Sequence, residues 1–245
     1  MHADAPGYLS ALNPEQREAV LHDSGNLLIL AGAGSGKTRV ITTKIAYLIQ
    51  ERGYAPESIL AVTFTNKAAR EMRERACTLE PSCARANLRT FHSFGAWFLR
   101  RNAAAAGLDR DFTIYDDDDS VTLTRAAFPS LSRPEASKLA SAIARAKDYG
   151  MAPDAEGLER HFEERDFRRR YAEYEKRLRA TGNVDFGDLI SLPVRLLERD
   201  SVIRERRPCA LPCHTRRRVP GLKRSTIRAP QGSRRAPGLR LRRRR

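Results

Sequence analysis

The chain has 245 residues, enough for one large domain or two modest ones, and 31% of them are charged. No apolar run approaches the roughly 20 residues of a membrane span, and no signal-peptide pattern opens the chain, so a cytoplasmic protein without a membrane partner is expected. The net charge of +15 is uneven: residues 207–245 carry 14 of the 45 Lys and Arg and no acid, leaving 31 basic against 30 acidic residues in residues 1–206. The body is balanced, so overall charge gives no argument for nucleic-acid binding. Cys77, Cys83, Cys209 and Cys213 read as reduced thiols rather than a disulfide framework.

In chain order, Asn13 reads as an N-cap, Pro14 as the first helical residue and Gln16 as the third, for a helix ending near Leu21. Gln16 has two readings: a capping-box partner of Asn13, or an amide fork facing an adenine edge. Leu27 to Leu30 reads as a buried strand. It enters the glycine-rich loop Ala31-Gly32-Ala33-Gly34-Ser35-Gly36-Lys37-Thr38, and a helix follows from Arg39 to Gln50. This is the pattern of a phosphate-binding loop. Glycines let backbone N–H groups close on an anion, the helix N-terminus adds its dipole, Lys37 meets the β/γ-phosphates and Thr38 holds Mg²⁺. Ala31 stands where the strict pattern wants Gly.

Ile59 to Thr63 predicts a second strand, running through Phe64-Thr65-Asn66-Lys67 into a helix from Ala68 to about Leu79. A third such turn comes at Asn87 to Phe94, with a helix near Ala96 to Ala105. Alternating strands and helices predict an α/β fold with a parallel sheet and crossover helices, whose ligands gather at the carboxyl ends of the strands. Phe64 and Phe91 are equally readable as core packing. From Asp111 to Gly182 the strand signal is absent and helices are expected at roughly 118–127, 134–148 and 156–180, a helical insertion. Asp116 to Asp119 reads as a solvated first helical turn, not a metal site. Val184 to Ile190 starts a last helix, reaching about Arg199.

Five segments in order, Leu12 to Gln16, Ala31 to Arg39, Thr63 to Ala69, Thr90 to His92 and Asp185 to Leu189, closely resemble the N-terminal half of the UvrD/Rep superfamily-1 DNA helicases. The resemblance implies a RecA-like phosphate-loop NTPase core interrupted by a helical subdomain. Its parts are a first core over 1–109, the insertion over 110–183 and a return to the core over 184–206. It implies a 3′-to-5′ translocase using ATP and Mg²⁺ on single-stranded DNA and its junctions with duplex, working beside replication or repair proteins. Gln16 would read adenine, Ala31 to Thr38 would wrap phosphate, and Arg39 would lie along the nucleotide. Thr63, Phe64, Thr65, Asn66, Lys67, Thr90, Phe91 and His92 would line the strand.

The pattern then breaks. Hydrolysis needs an Asp on Mg²⁺ and a Glu on the attacking water. The family places this pair roughly thirty residues past Asp185, where this chain has no acid and five prolines from Pro208 to Pro237. Codons exist for Arg217 to Pro230 that, read one base later, encode Asp-Glu-Tyr-Gln-Asp-Ser-Asn-Ala-Ala-Pro-Tyr-Glu-Leu-Leu, which contains the missing motif. Thr215 and Arg216 permit Leu-Val before it. The segment 207–245 is therefore expected to be out of frame and disordered, and the chain as written a truncated, non-unwinding form. Cys209, Cys213 and His214 are then no zinc site. The closing arginines are then no designed DNA arm. The rival readings are a non-catalytic nucleotide- and DNA-binding module, or a subunit of a helicase–nuclease.

Overall fold

The computed structural model describes residues 7–23, 25–32, 34–162 and 166–205. A single turn α1 (Gly7–Ser10) precedes α2 (Pro14–Leu21). Asn13 caps α2 as its neighbours dictate: its Oδ1 accepts from Gln16 N at 2.8 Å, and Gln16 Oε1 accepts from Asn13 N at 3.2 Å. The loop then feeds α3 (Lys37–Gln50), whose Val40 packs with Leu9 and Val20. Lys44, buried on α3, donates to the carbonyls of Val20 (2.6 Å) and His22 and ties α2 to α3.

Next come β1 (Leu60–Thr63), α4 (Asn66–Leu79), β2 (Asn87–Thr90) and α5 (Phe91–Arg101). β1 and β2 run parallel with Leu60 opposite Asn87 and Thr63 opposite Thr90. Ile45, Leu48, Ala61, Met72, Ala76 and Leu88 form the core between α3, α4 and this pair. Arg73 on α4 donates to the carbonyls of Ala84 and Leu88, both at 3.0 Å, which fixes α4 against β2. α5 begins at Phe91 rather than near Ala96, because Thr90 Oγ1 accepts from Ser93 N at 3.1 Å and caps it. The short α6 (Ala103–Ala106) ends it.

The expected strand at Leu27 to Leu30 is not formed. The segment has no regular secondary structure and pairs with no strand among the described residues, and Leu28 and Leu30 are 64% and 86% exposed. An apolar strand needs a neighbour on its edges before it can bury, and β1 pairs only with β2. A second correction concerns the stretch read as purely helical. It opens with β3 (Ile114–Tyr115), which pairs in parallel with β4 (Val184–Asp185).

Between β3 and β4 lie α7 (Asp117–Ala127), α8 (Arg133–Asp148), α9 (Leu158–His161) and α10 (Phe167–Ala180). Asp116 caps α7 by accepting from Asp119 N at 2.9 Å, as a solvated acidic first turn should. The helix expected over 156–180 is broken: α9 ends at His161, and Phe162 stacks on Phe167 with centroids 4.6 Å apart. Leu139, Ile143, Leu158, Tyr171 and Leu178 make the core of this part. After β4, α11 (Asp188–Arg199) and α12 (Ser201–Glu205) close the described chain. No helix among the described residues is long and apolar enough to cross a membrane. Cys77 and Cys83 are free, and burial first, with Cys77 beside it, pushes the Cys83 thiol up to about 12. Cys209, Cys213 and His214, and the whole of 207–245, lie outside the described residues.

Candidate nucleotide and nucleic-acid sites

The glycine-rich loop turns through two left-handed residues, Gly34 (φ +75°) and Gly36 (φ +83°), a conformation that side chains disfavour. Ser35 Oγ donates to Gly32 O at 2.7 Å, and the Lys37 ammonium folds into the loop, donating to the carbonyls of Ala31 (2.9 Å) and Gly32. A positive charge therefore stands inside the loop at the first residue of α3. Gln16 is the capping-box partner of Asn13, and its Nε2 also donates to Ser35 O at 3.0 Å, which sets its side chain against the loop. A Cβ on Gly36 would fall 2.6 Å from that same Nε2. Arg39 Nη1 reaches back to Ala11 O at 3.4 Å, so the first turn of α3 is tied to the segment between α1 and α2. Ala33 lies outside the described residues.

A second surface forms where β1 and β2 end. The register that sets Thr63 against Thr90 makes Phe64 and Phe91 neighbours, with ring centroids 5.4 Å apart and planes tilted by 49°. Phe64 is 56% exposed and Phe91 is exposed too, so the core-packing reading of both falls. Next along α5, His92 lies 5.8 Å from Phe186, which is 53% exposed. Three phenylalanines and a histidine thus make an open aromatic ledge, flanked by exposed Asn66 and Lys67. Thr65 caps α4 by accepting from Ala68 N at 3.1 Å. Thr90 does not face this surface: it is buried, and its hydroxyl is spent on the cap of α5 and on Ser93 Oγ at 2.8 Å. Phe186 was not singled out from the sequence, although it sits inside the Asp185 to Leu189 motif.

The motif's carboxylates have another role. Lys147 Nζ, 1% exposed on α8, lies 2.6 Å from Asp185 Oδ2 and 2.8 Å from Asp188 Oδ1. Glu175 Oε1 lies 2.5 Å from the same nitrogen, a third carboxylate on one ammonium. Arg179 bonds Asp188, and Tyr174 OH donates to Asp185 Oδ2 at 3.1 Å. Glu175, Asp185 and Asp188 bring three oxygens within 4.8 Å, a spacing that suits a cation, and the Lys147 ammonium is that cation. Burial alone would lower Lys147, but Asp188, Asp185 and Glu175 together hold it above its ordinary 10.5. Burial likewise pushes Asp188 up, and Lys147 and Arg179 more than reverse it, holding it below 3.8. Glu175, with burial dominant and Asp188 beside it, is held above 4.5.

Fold and loop together give a protein of mixed helices and strands with a small parallel sheet, a glycine-rich loop, an aromatic ledge at its strand ends and an ion-paired helical part. Residues 12–209 match the UvrD/REP helicase N-terminal domain, and the chain belongs to that family. Rep from Salmonella typhimurium, described as an ATP-dependent DNA helicase, is 43% identical over 201 residues. That match covers 80% of this chain and 30% of Rep. UvrD1 from Mycobacterium tuberculosis is 45% identical over 205 residues, 78% of this chain and 26% of the relative. PcrA from Bacillus subtilis is 39% identical over 197 residues, 78% and 27% respectively. The chain thus spans less than a third of these relatives.

Proposed function

We propose that the chain is the N-terminal, nucleotide-binding part of an ATP-dependent, 3′-to-5′ DNA helicase, organised as a RecA-like core over 1–109 and 184–206 with the helical subdomain 110–183 inserted. The observation that carries the reading is the exposed Phe64–Phe91 pair at the ends of two parallel strands, downstream of a glycine loop that encloses a lysine ammonium. Gly32, Gly34, Ser35 and Gly36 suit a polyphosphate, since nothing stands within 4 Å of a Cβ placed at Gly32 or Gly34. Lys37, whose ammonium now rests on the Ala31 and Gly32 carbonyls, would hold the β/γ-phosphates of ATP, Thr38 would hold Mg²⁺, and Gln16, placed beside the loop, would face the adenine edge. Phe64 and Phe91 offer π-faces that stack any base, and Asn66, Lys67 and His92 meet phosphate and sugar without reading sequence.

Phe64→Ala, a change at an exposed side chain, is expected to leave the fold intact and weaken binding to oligo(dT) about tenfold, since one base stack is worth about 1–3 kcal/mol. Fluorescence anisotropy at about 0.2 M salt, where loose charge contacts fade, makes the measurement. An unchanged affinity removes the ledge from the strand's path.

The chain as written binds but does not unwind. It has no Asp or Glu in residues 207–245 to serve as the hydrolytic pair. Exposed Leu28 and Leu30 favour the same reading, because a strand such as the Leu-Val ahead of the out-of-frame Asp-Glu motif would cover that edge. Resequencing the gene across codons 200 to 220 locates the shift: an added or missing base restores the motif, and an unchanged read means a decayed gene. Measurable DNA-stimulated ATPase by the 245-residue chain overturns the reading.

A further inference from the structure

A cavity of about 450 Å³ opens on the flank of α5, away from the glycine loop's residues, lined by Arg89, Ser93, Trp97, Arg100, Arg101 and Arg110. Ser93, Trp97, Arg100 and Arg101 stand at i, i+4, i+7 and i+8, one face of the helix, while Gly95, Ala96, Phe98 and Leu99 are buried on the other. Two guanidinium groups lie near the indole of Trp97, Arg89 at 5.6 Å and Arg101 at 5.2 Å from its centroid. Arg100 lies over Phe112 at 5.1 Å. The Arg89 Nε is buried and bonded to nothing. None of the four arginines is ion-paired with a carboxylate among the described residues. Four like charges around one cavity repel one another, and an anion entering it relieves that repulsion. The aromatic between them suits a ligand that is both anionic and planar.

We propose that this groove binds a nucleotide unit of single-stranded DNA, with phosphate on Arg101 and Arg110 and a base on Trp97, as a continuation of the path over the aromatic ledge. The inference rests on the ledge being a strand-binding surface. Its continuity comes from α5 itself: Phe91 and His92 open the helix, and Ser93, one residue on and bonded to Thr90 at 2.8 Å, begins the groove.

Trp97 is the chain's single tryptophan, so its emission reports this groove alone. The full chain is titrated with an oligo(dT) of about 16 nucleotides, following tryptophan emission and the anisotropy of the end-labelled strand together. The expected result is saturable quenching at the concentrations where anisotropy rises. Arg101→Glu combined with Arg110→Glu, both exposed, weakens binding tenfold or more and lowers the log–log salt slope by about 1.4, two contacts at about 0.7 each. The same charge change at exposed Arg125 and Arg160 leaves affinity within twofold. Anisotropy that rises while emission stays constant overturns the groove and leaves the ledge standing. An absence of any anisotropy change overturns the ledge and the groove with it. Thymidine monophosphate quenching as tightly as the oligonucleotide makes this a mononucleotide pocket and overturns the strand assignment.

Discussion

Lys147→Met is expected to cost about 3–5 kcal/mol, the range for removing one partner of a buried ion pair, and to lower the melting temperature by about 10 °C. Methionine preserves most of the stem's packing beside Gly187, whose Cβ position is already 2.7 Å from the Lys147 side chain, so the loss is one of charge. What remains is Asp185, Asp188 and Glu175 facing one another with only Arg179 to oppose them. Adding Asp185→Asn to Lys147→Met is expected to recover part of the deficit, because it removes one of the stranded charges. The pH dependence distinguishes this from lost packing. In the parent chain Asp188, held below its unfolded value of 3.8, contributes stability that is complete above pH 3.8 and lost as pH falls through its folded value. Glu175, raised above 4.5, works in the opposite sense and loses its contribution as pH rises. Without the Lys147 ammonium, which lowers both, Asp188 and Glu175 shift upward, so the variant's deficit should be largest near pH 7 and narrow towards pH 4. A deficit independent of pH, or below about 0.5 kcal/mol, contradicts the account.

Gly95→Ala carries the second large effect. α5 and α11 cross so closely that a Cβ on Gly95 would stand 1.7 Å from the carbonyl oxygen of Leu189. Alanine is the better helix former by about 1 kcal/mol, so a solvent-facing glycine would gain from this change. Here the obstacle is backbone, which cannot rotate away, and the two helices must separate. A net loss of about 3 kcal/mol is expected, at the upper end of overpacking costs. Denaturant unfolding measures it. The same separation would disturb Leu99 and Leu189 in the core between these helices and shift Phe186 away from His92, so binding to oligo(dT) should fall as well. A variant as stable as the parent would mean that α5 and α11 are not in contact.

Local signals made much of this legible. The Asn13 cap with Gln16, the Gly-Lys-Thr entry to α3 and the paired Thr-Phe steps at residues 63 and 90 are all short-range patterns, and the structure forms each of them. The misses are long-range. Lys147 meets acids 38 and 41 residues away, and an isolated lysine on an amphipathic helix carries no mark of that. Leu27 to Leu30 has the composition of a buried strand, yet burial depends on a neighbour that the described residues do not supply. The early start of α5 is a local signal too, Thr90 as a cap and Ser93 as the third helical residue, but Phe91 and Phe94 on either side carry a strand's composition as readily as a helix's. The Arg89 guanidinium lies 5.6 Å from the Trp97 ring although the residues are eight apart in sequence, so their pairing needed strand and helix together.

The most direct measurement is equilibrium binding of a fluorescent ATP analogue with Mg²⁺ to the 245-residue chain and to Lys37→Ala. The account predicts saturable binding by the parent chain and a loss of at least tenfold in the variant, since the ammonium inside the loop is gone while Gly34, Gly36 and the start of α3 remain. Equal binding by both chains, or none by the parent, would contradict the assignment of the glycine loop as the nucleotide site.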